Sequence, residues 1–235
     1  MEKELQSEKV SYILNFKKDT KLIREILELS APSYKSNMQL VEREVNHNRD
    51  IYIIKGLTGE LLAFFMVNPE ELNGQNSYYL GLSACHDNYK GKGLVKSLYM
   101  AFMKDCKSQE LIQKKSIILW WTTATPIVYY WFNKYIKDVQ PDMDGLYNQF
   151  GKSMAEIIVR EKFDTTDVDQ NHPFILRNVA VETNYSEQEV ERLNSAAYKL
   201  NTNVFEKYNV NEKNGDRFLM IGYTPDHLVY YAEIA

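Results

Sequence analysis

The sequence predicts an α/β domain of the α+β kind, with a mixed central sheet of about seven strands flanked by helices. Three observations predict it. Apolar runs of strand length alternate with amphipathic runs of helical period through residues 10–137. One strand-like run, residues 77–85, is joined by a two-glycine turn to an amphipathic run, residues 94–106. A continuous apolar stretch at residues 116–123 follows, as a strand buried on both faces requires, so strand, helix and strand form a parallel crossover.

In order along the chain, residues 10–16 read as a first strand. Asp19 or Thr20 then caps a helix whose apolar positions Leu22, Ile23, Ile26, Leu27 and Leu29 keep the 3.6 period, and Pro32 ends it. A second helix, from about residue 36, carries Met38, Val41 and Val45 on one face. Residues 51–55 and 61–67 form a hairpin around Gly59, a break follows at Asn68-Pro69, and Asn73-Gly74 turns the chain into residues 77–85. Thr125-Pro126 opens the helix after residues 116–123. Beyond residue 137, residues 145–163 predict a helix with Leu146, Phe150, Met154, Ile157 and Ile158 on its apolar face. Residues 173–181 predict the sixth strand. Ser186-Glu187-Gln188-Glu189 spells a capping box before a long amphipathic helix, 187–205, and residues 216–223 predict the seventh strand. With no Pro/Gly/Ser-rich linker, residues 1–235 read as one elaborated domain: a core at 10–137, then strands and helical insertions at 138–235. A core ending near residue 140 followed by a small second domain is the competing division.

Composition excludes several classes. No apolar stretch approaches the roughly 20 residues of a membrane span, and the N-terminus has no apolar signal region, so a cytoplasmic protein without membrane contact is expected. Two cysteines, Cys85 and Cys106, and four histidines without ligand spacing suggest neither a disulfide framework nor a metal site. A net charge of −4 argues against a nucleic-acid partner.

Against that net charge, Lys90, Lys92 and Lys96 crowd into seven residues around Gly91 and Gly93. Glycines let the backbone approach a ligand closely, and the first turn of the following helix presents unpaired N–H groups, which makes a phosphate cradle. The spelling fits neither a P-loop nor a dinucleotide fingerprint. Tyr89-Lys90-Gly91-Lys92-Gly93-Leu94-Val95 instead resembles the acetyl-CoA pyrophosphate loop of the GNAT superfamily of N-acetyltransferases, Gln/Arg-x-x-Gly-x-Gly/Ala. Lys90 departs from the Arg or Gln usual there, and Val95 from the final Gly or Ala. A second segment, Thr123-x-x-Pro126-x-x-x-Tyr130-x-x-x-Lys134-Tyr135, is similar to the family's Asn-x-x-Ala-x-x-x-Tyr-x-x-x-Gly-Phe, retaining the tyrosine and a terminal aromatic.

The resemblance implies an acetyl-CoA-dependent N-acetyltransferase that moves an acetyl group directly to a primary amine in a ternary complex. Acetyl-CoA would lie against Lys90, Gly91, Lys92, Gly93, Leu94, Val95 and Lys96, with its pantetheine arm along Ala84 and Cys85 and with Thr123 across the site. Tyr130 would protonate the leaving thiolate, with Tyr129 as its neighbour on another helix face. The fourth strand carries no carboxylate to act as base, so a bound water is expected to serve. His86-Asp87 reads either as a proton relay or as a capped turn; His47, His172 and His227 have no motif. Cys85 and Cys106 read as small apolar filler rather than nucleophiles. The acceptor is an amine-bearing small molecule or peptide. The apolar faces of the C-terminal helices pack on the core or across a homodimer. Two other readings stand beside the enzyme: a non-catalytic acyl-CoA-binding regulatory protein and a CoA-independent interaction module.

Overall fold

The computed structural model describes residues 9–34, 38–163, 169, 172–180, 185–200 and 204–226, with backbone alone at 194 and 196–200. Among them, eight strands form one sheet: β1 (Val10–Ile13), β2 (Asp50–Lys55), β3 (Leu61–Leu72), β4 (Gln75–Cys85), β5 (Ile118–Thr123), β6 (Lys137–Gln140), β7 (Ile175–Leu176) and β8 (Arg217–Tyr223). The spatial order is β1-β2-β3-β4-β5-β8-β6, with β7 also on β8. Every pairing is antiparallel except β4 with β5, the predicted crossover through helix α3 (Leu94–Gln113).

Strict alternation divides two cores. In β2, Ile51 and Ile53 face one side and Tyr52 and Ile54 the other; in β3, Phe64 and Met66 oppose Ala63, Phe65 and Val67. One face is covered by α1 (Thr20–Ser30) and α2 (Gln39–His47), through Leu22, Ile26, Val41 and Val45. The other is covered by α3, through Leu98, Phe102 and Cys106, and by α4 (Pro126–Tyr135), whose Tyr129 meets Phe218, while α5 (Gln149–Lys162) returns to the α1–α2 side, with Phe163 on Trp120 and Lys162 on Glu70. Asp19 caps α1, accepting from the Leu22 N–H at 2.9 Å.

Several expectations are corrected. The first strand ends at Ile13, because Asn15 enters the left-handed region at φ 51° and a 3₁₀ turn, Phe16–Lys18, follows. No break occurs at Asn68-Pro69: β3 runs through it, with Pro69 opposite Tyr78. Past Val67 the strand has lost its β2 neighbour, and a proline without an N–H is tolerated as on an edge. The sixth strand along the chain is β6, four residues directly after α4, and not residues 173–181. That segment contributes only the two-residue β7, and residue 181 lies outside the described residues. The helix expected at 145–163 starts at Gln149, since Gly145 turns at φ 78° and the Asn148 side chain accepts from the Gly151 N–H at 2.9 Å. Its buried face is Gly151, Met154, Ala155, Ile158 and Val159, leaving Leu146 and Phe150 exposed. The expected 187–205 helix is α6 (Glu187–Leu200) and a short α7 (Val204–Lys207), with 201–203 outside the described residues.

The strand predicted at 216–223 is found as β8, and its place is central: it lies between β5 and β6, paired with β5 from Ile118↔Tyr223 to Thr123↔Phe218. Its Phe218, Leu219, Met220 and Ile221 are fully buried. Truncation after residue 140 strips β5 of this neighbour and exposes an apolar strand edge, so the fragment is expected to be insoluble; size-exclusion chromatography showing a soluble monomer would contradict the pairing.

Candidate functional site

β4 and β5 pair over three residues only, Ser77↔Ile118 to Tyr79↔Trp120. β4 nevertheless continues to Cys85, held by β3, and β5 to Thr123, held by β8. The cause is a bulge. From Phe65↔Ser83 to Val67↔Leu80, β4 uses three steps where β3 uses two, and an extra residue bends the bulged strand away from its partner. Gly81 stands in the bulge, where a Cβ would overlap the Asn48 side-chain amide. Between the diverging strands opens a cavity of about 870 Å³.

One end of the cavity is built by the glycine turn. Gly91 and Gly93 have φ of 79° and 81°, with open space where a Cβ would stand, so conformation rather than room requires glycine. Gly93 occupies the N-cap of α3 without a side-chain cap, and the helix's first turn, Leu94, Val95 and Lys96, meets the cavity. Ala84, Cys85, Lys90, Gly91, Gly93 and Thr123 also line it. Lys92 does not; its ammonium lies 5.0 Å from the centre of the Tyr89 ring. Thr123 is turned inward, its hydroxyl 2.9 Å from that of Thr125 and accepting from the Thr125 N–H at 3.0 Å.

Lys90 is engaged within the protein. Its ammonium lies 2.7 Å from Asp87 and 3.0 Å from Glu189 on α6, and Arg192 grips the same Glu189 carboxylate through Nε at 3.1 Å and through Nη2. Burial opposes ionisation of Glu189, but Arg192 and Lys90 outweigh it and hold the carboxyl below its ordinary range. This explains a half-made capping box. The Ser186 hydroxyl accepts from the Glu189 N–H at 3.3 Å, while the Ser186 N–H goes to the Ser33 carbonyl at 2.8 Å because the Glu189 carboxylate is drawn to Lys90 and Arg192. Helix α6 therefore lies over the cavity, with Tyr185 against Tyr34 at 5.2 Å.

The two candidate tyrosines of α4 separate. Tyr129 is fully buried and donates to the carbonyls of Pro141, at 3.3 Å, and Asp142. Tyr130 is half-buried beside Lys134, whose ammonium lies 5.6 Å from its ring centre, and it does not line the cavity; Ile127, Trp131 and Tyr135 of the same helix do. His86 caps the turn at residues 87–89, its Nδ1 accepting from the Asn88 N–H at 3.3 Å, and lies off the cavity wall. His172 is buried among Tyr147, Phe174, Tyr208 and Phe218. Cys106 is core, its thiol pushed up by burial. His227 lies outside the described residues.

The opposite end of the cavity escaped the sequence reading. Leu40, Arg43, Glu44 and His47 line it from α2, at the i, i+3, i+4, i+7 spacing of one helical stripe. Glu44 is buried, and its carboxylate accepts from Asn48 Nδ2 at 3.0 Å and from the Tyr79 hydroxyl at 3.2 Å. Burial raises its pKa, opposed only in part by Asn48, His47, Tyr79 and Arg43. The one available signal was that this polar stripe abuts the apolar stripe of Val41 and Val45.

No protein-family model matches the chain, and no curated protein sequence matches it. Parts of it are similar to solved structures. One is a probable N-acyltransferase from Enterococcus faecalis V583, at 14% identity and TM-score 0.40 over 57% of this chain and 33% of that one, so the match spans a third of that protein. Another is the GNAT family N-acetyltransferase YhbS from Escherichia coli in complex with CoA, at 15% identity and TM-score 0.40 over 54% and 69%. A third is an IAA acetyltransferase from Bacillus cereus ATCC 14579, at 16% identity and TM-score 0.39 over 57% and 81%. Among the described residues no helix is long and apolar enough to cross a membrane.

Behind the cavity wall, the Glu212 carboxyl is pushed up to about 7 by burial, against the opposing charge of Arg217, and its Oε1 is buried with no hydrogen bond among the described residues. Because the folded value exceeds the unfolded one near 4.5, this group's stabilising contribution is full below pH ~4.5 and lost as pH rises through about 7. Denaturant unfolding of Glu212→Gln relative to the parent should therefore show a gain of up to about 3 kcal/mol at pH 8 that vanishes near pH 4.5. An unchanging difference would contradict the assignment.

Proposed function

We propose that this chain is a GNAT-type acetyltransferase that binds acetyl-CoA between β4 and β5 and passes the acetyl group to a primary amine. The observation that carries the reading is the junction of two unpaired strand edges with an uncapped helix N-terminus inside one cavity. Past Tyr79 and Trp120 the facing edges of β4 and β5 have no strand partner among the described residues, and their backbone donors and acceptors need one. An amide-bearing pantetheine arm along Ala84 and Cys85 would supply it. The first turn of α3, with Lys96, would receive the pyrophosphate, whose charge the helix dipole favours. When bound, acetyl-CoA supplies an electrophilic thioester. The free-amine nitrogen would bond to its carbonyl carbon and give up one proton to a bound water acting as base, the C–S bond would break, and the departing thiolate would take a proton from a donor beside it.

The non-catalytic acyl-CoA-binding reading is favoured by one specific observation: Glu189 holds Lys90, the lysine at the loop's Arg/Gln position. The two readings share the cofactor and differ in turnover. Acetyl-CoA at a hundredfold excess over its Kd should stabilise the protein by roughly 2.7 kcal/mol, read as a rise in Tm. Gly93→Val, which forces a β-branched residue to φ 81°, should abolish that rise while the far-UV circular dichroism stays folded. A melting curve unmoved by millimolar acetyl-CoA would refute the cofactor assignment.

Tyr130 is proposed as the proton donor to the thiolate on its register in α4. Tyr130→Phe should then lower turnover about 10²-fold with acetyl-CoA affinity unchanged. Tyr129→Phe, which loses hydroxyl bonds to Pro141 and Asp142, should cost about 1 kcal/mol of stability and little rate. Thiol release with a panel of amines measures both; because Tyr130 stands off the cavity wall, equal small effects on turnover would move the proton donor to a residue on the wall, with Tyr135 next to test.

A further inference from the structure

We infer that the α2 end of the cavity is a binding subsite for an organic ammonium group, with the Glu44 carboxylate as its counter-ion and Tyr34, Tyr79 and Trp120 as its walls. Resting on the transferase reading, this deepens it: the acceptor enters as a cation, at the end of the cavity opposite the glycine turn.

A charge imbalance marks this end of the cavity. Glu44 is only 8% exposed, yet among the described residues it is in no ion pair; its hydrogen-bond donors, Asn48 and Tyr79, are neutral. The other acidic side chain lining the cavity, and the one behind His47, are neutralised. Glu189 is held by Lys90 and Arg192, and Glu70, beside His47, is held by Lys162 at 3.1 Å. A buried carboxylate without a cation is costly unless a ligand brings one, and Glu44 faces a cavity through which a ligand can reach it.

The surroundings favour an ammonium over a metal ion. Two oxygens of one carboxylate are a poor cage for a hard divalent cation, which takes six or more oxygen ligands. Aromatic faces attract an ammonium instead. Tyr79 and Trp120 are in ring contact at 4.6 Å, His47 meets Tyr79 at 5.1 Å, and Tyr34 closes the wall at 4% exposure. The buried Trp120 indole N–H has no hydrogen-bond partner among the described residues, which leaves one donor on this wall for a polar atom of the same ligand.

The fold spends specific positions on holding Glu44. Asn48, fully buried, donates both to the Glu44 carboxylate and to its backbone carbonyl at 2.9 Å, and Gly81 in the β4 bulge is the residue that leaves the Asn48 amide its space. The bulge that opens the cavity thus also admits the side chain that orients the carboxylate. Exposed Arg43, one residue before Glu44 on the cavity rim, opposes a cation and sets the direction of a second test.

The test is titration of the full chain, with CoA present and absent, by n-propylammonium, 1,4-diammoniobutane and phenethylammonium, each against its uncharged alcohol isostere, read by calorimetry and tryptophan fluorescence. At least one ammonium should bind tenfold or more tighter than its alcohol. Glu44→Gln, isosteric and uncharged, should remove that preference, and Arg43→Gln should tighten ammonium binding about two- to fivefold by removing a like charge. Equal binding of ammonium and alcohol, no binding of any ammonium, or a preference that survives Glu44→Gln would each overturn the proposal. Should Glu44→Gln fail to fold, an Arg43→Gln variant with unchanged or weaker ammonium affinity overturns it on its own. A CoA response in the same titrations separates this proposal from the one it rests on: ammonium binding without CoA binding removes the transferase reading and leaves the subsite standing.

Discussion

The parting of β4 from β5 after three paired residues is the constraint on which the rest of the molecule depends. A sheet interior ordinarily satisfies every backbone donor and acceptor, and strands that separate in mid-sheet leave unpaired groups that need water or a ligand. The strain of separation is taken up on each side by an intact antiparallel neighbour, β3 for β4 and β8 for β5. That arrangement explains why the C-terminal β8 sits in the middle of the sheet rather than at an edge. Without it, β5 would have too little pairing to hold its open half straight.

The cavity so formed is polarised. At one end stand a helix N-terminus and Lys96; at the other, the Glu44 carboxyl is buried among aromatic rings and, among the described residues, in no ion pair. A chain with a net charge of −4 places its local positive potential where an acidic cofactor would lie, which is a property of arrangement and not of composition.

Helix α6 ties the two ends together. Its Glu189 links Lys90 of the glycine turn, and its first residues join Ser33 and Tyr34 after α1 by a backbone bond and a ring contact. An ion pair at this partial burial is worth about 1–2 kcal/mol, between the values of exposed and buried pairs. The C-terminal insertion is therefore part of the cavity wall, and a ligand phosphate at the turn would compete with Glu189 for the same lysine.

Elements whose cause is local were legible in the residues themselves. The period of α1 and its Asp19 cap, the Gly59 hairpin, the Pro126 helix start and the glycine turn with its left-handed φ angles all follow from neighbours within a few positions, and each lies where the residues place it. The loop's likeness to a pyrophosphate cradle came from the same short stretch. What the sequence could not express was pairing at long range. The length of β3 through Pro69 depends on where β2 stops; β6, at four residues, carries no pattern of its own; and the β4 bulge is visible only as a register mismatch with β3. Glu44 carries no pattern in the sequence and Glu189 reads only as the end of a capping box, because each acquires its role from residues 35 and 99 positions away. By itself the sequence determined the local elements and the glycine turn ahead of α3, since backbone conformation and helix periodicity are set by adjacent side chains. The tertiary structure alone decided which carboxylates are buried, which are paired and which wall they line, because desolvation and charge pairing depend on segments that meet only when the sheet closes.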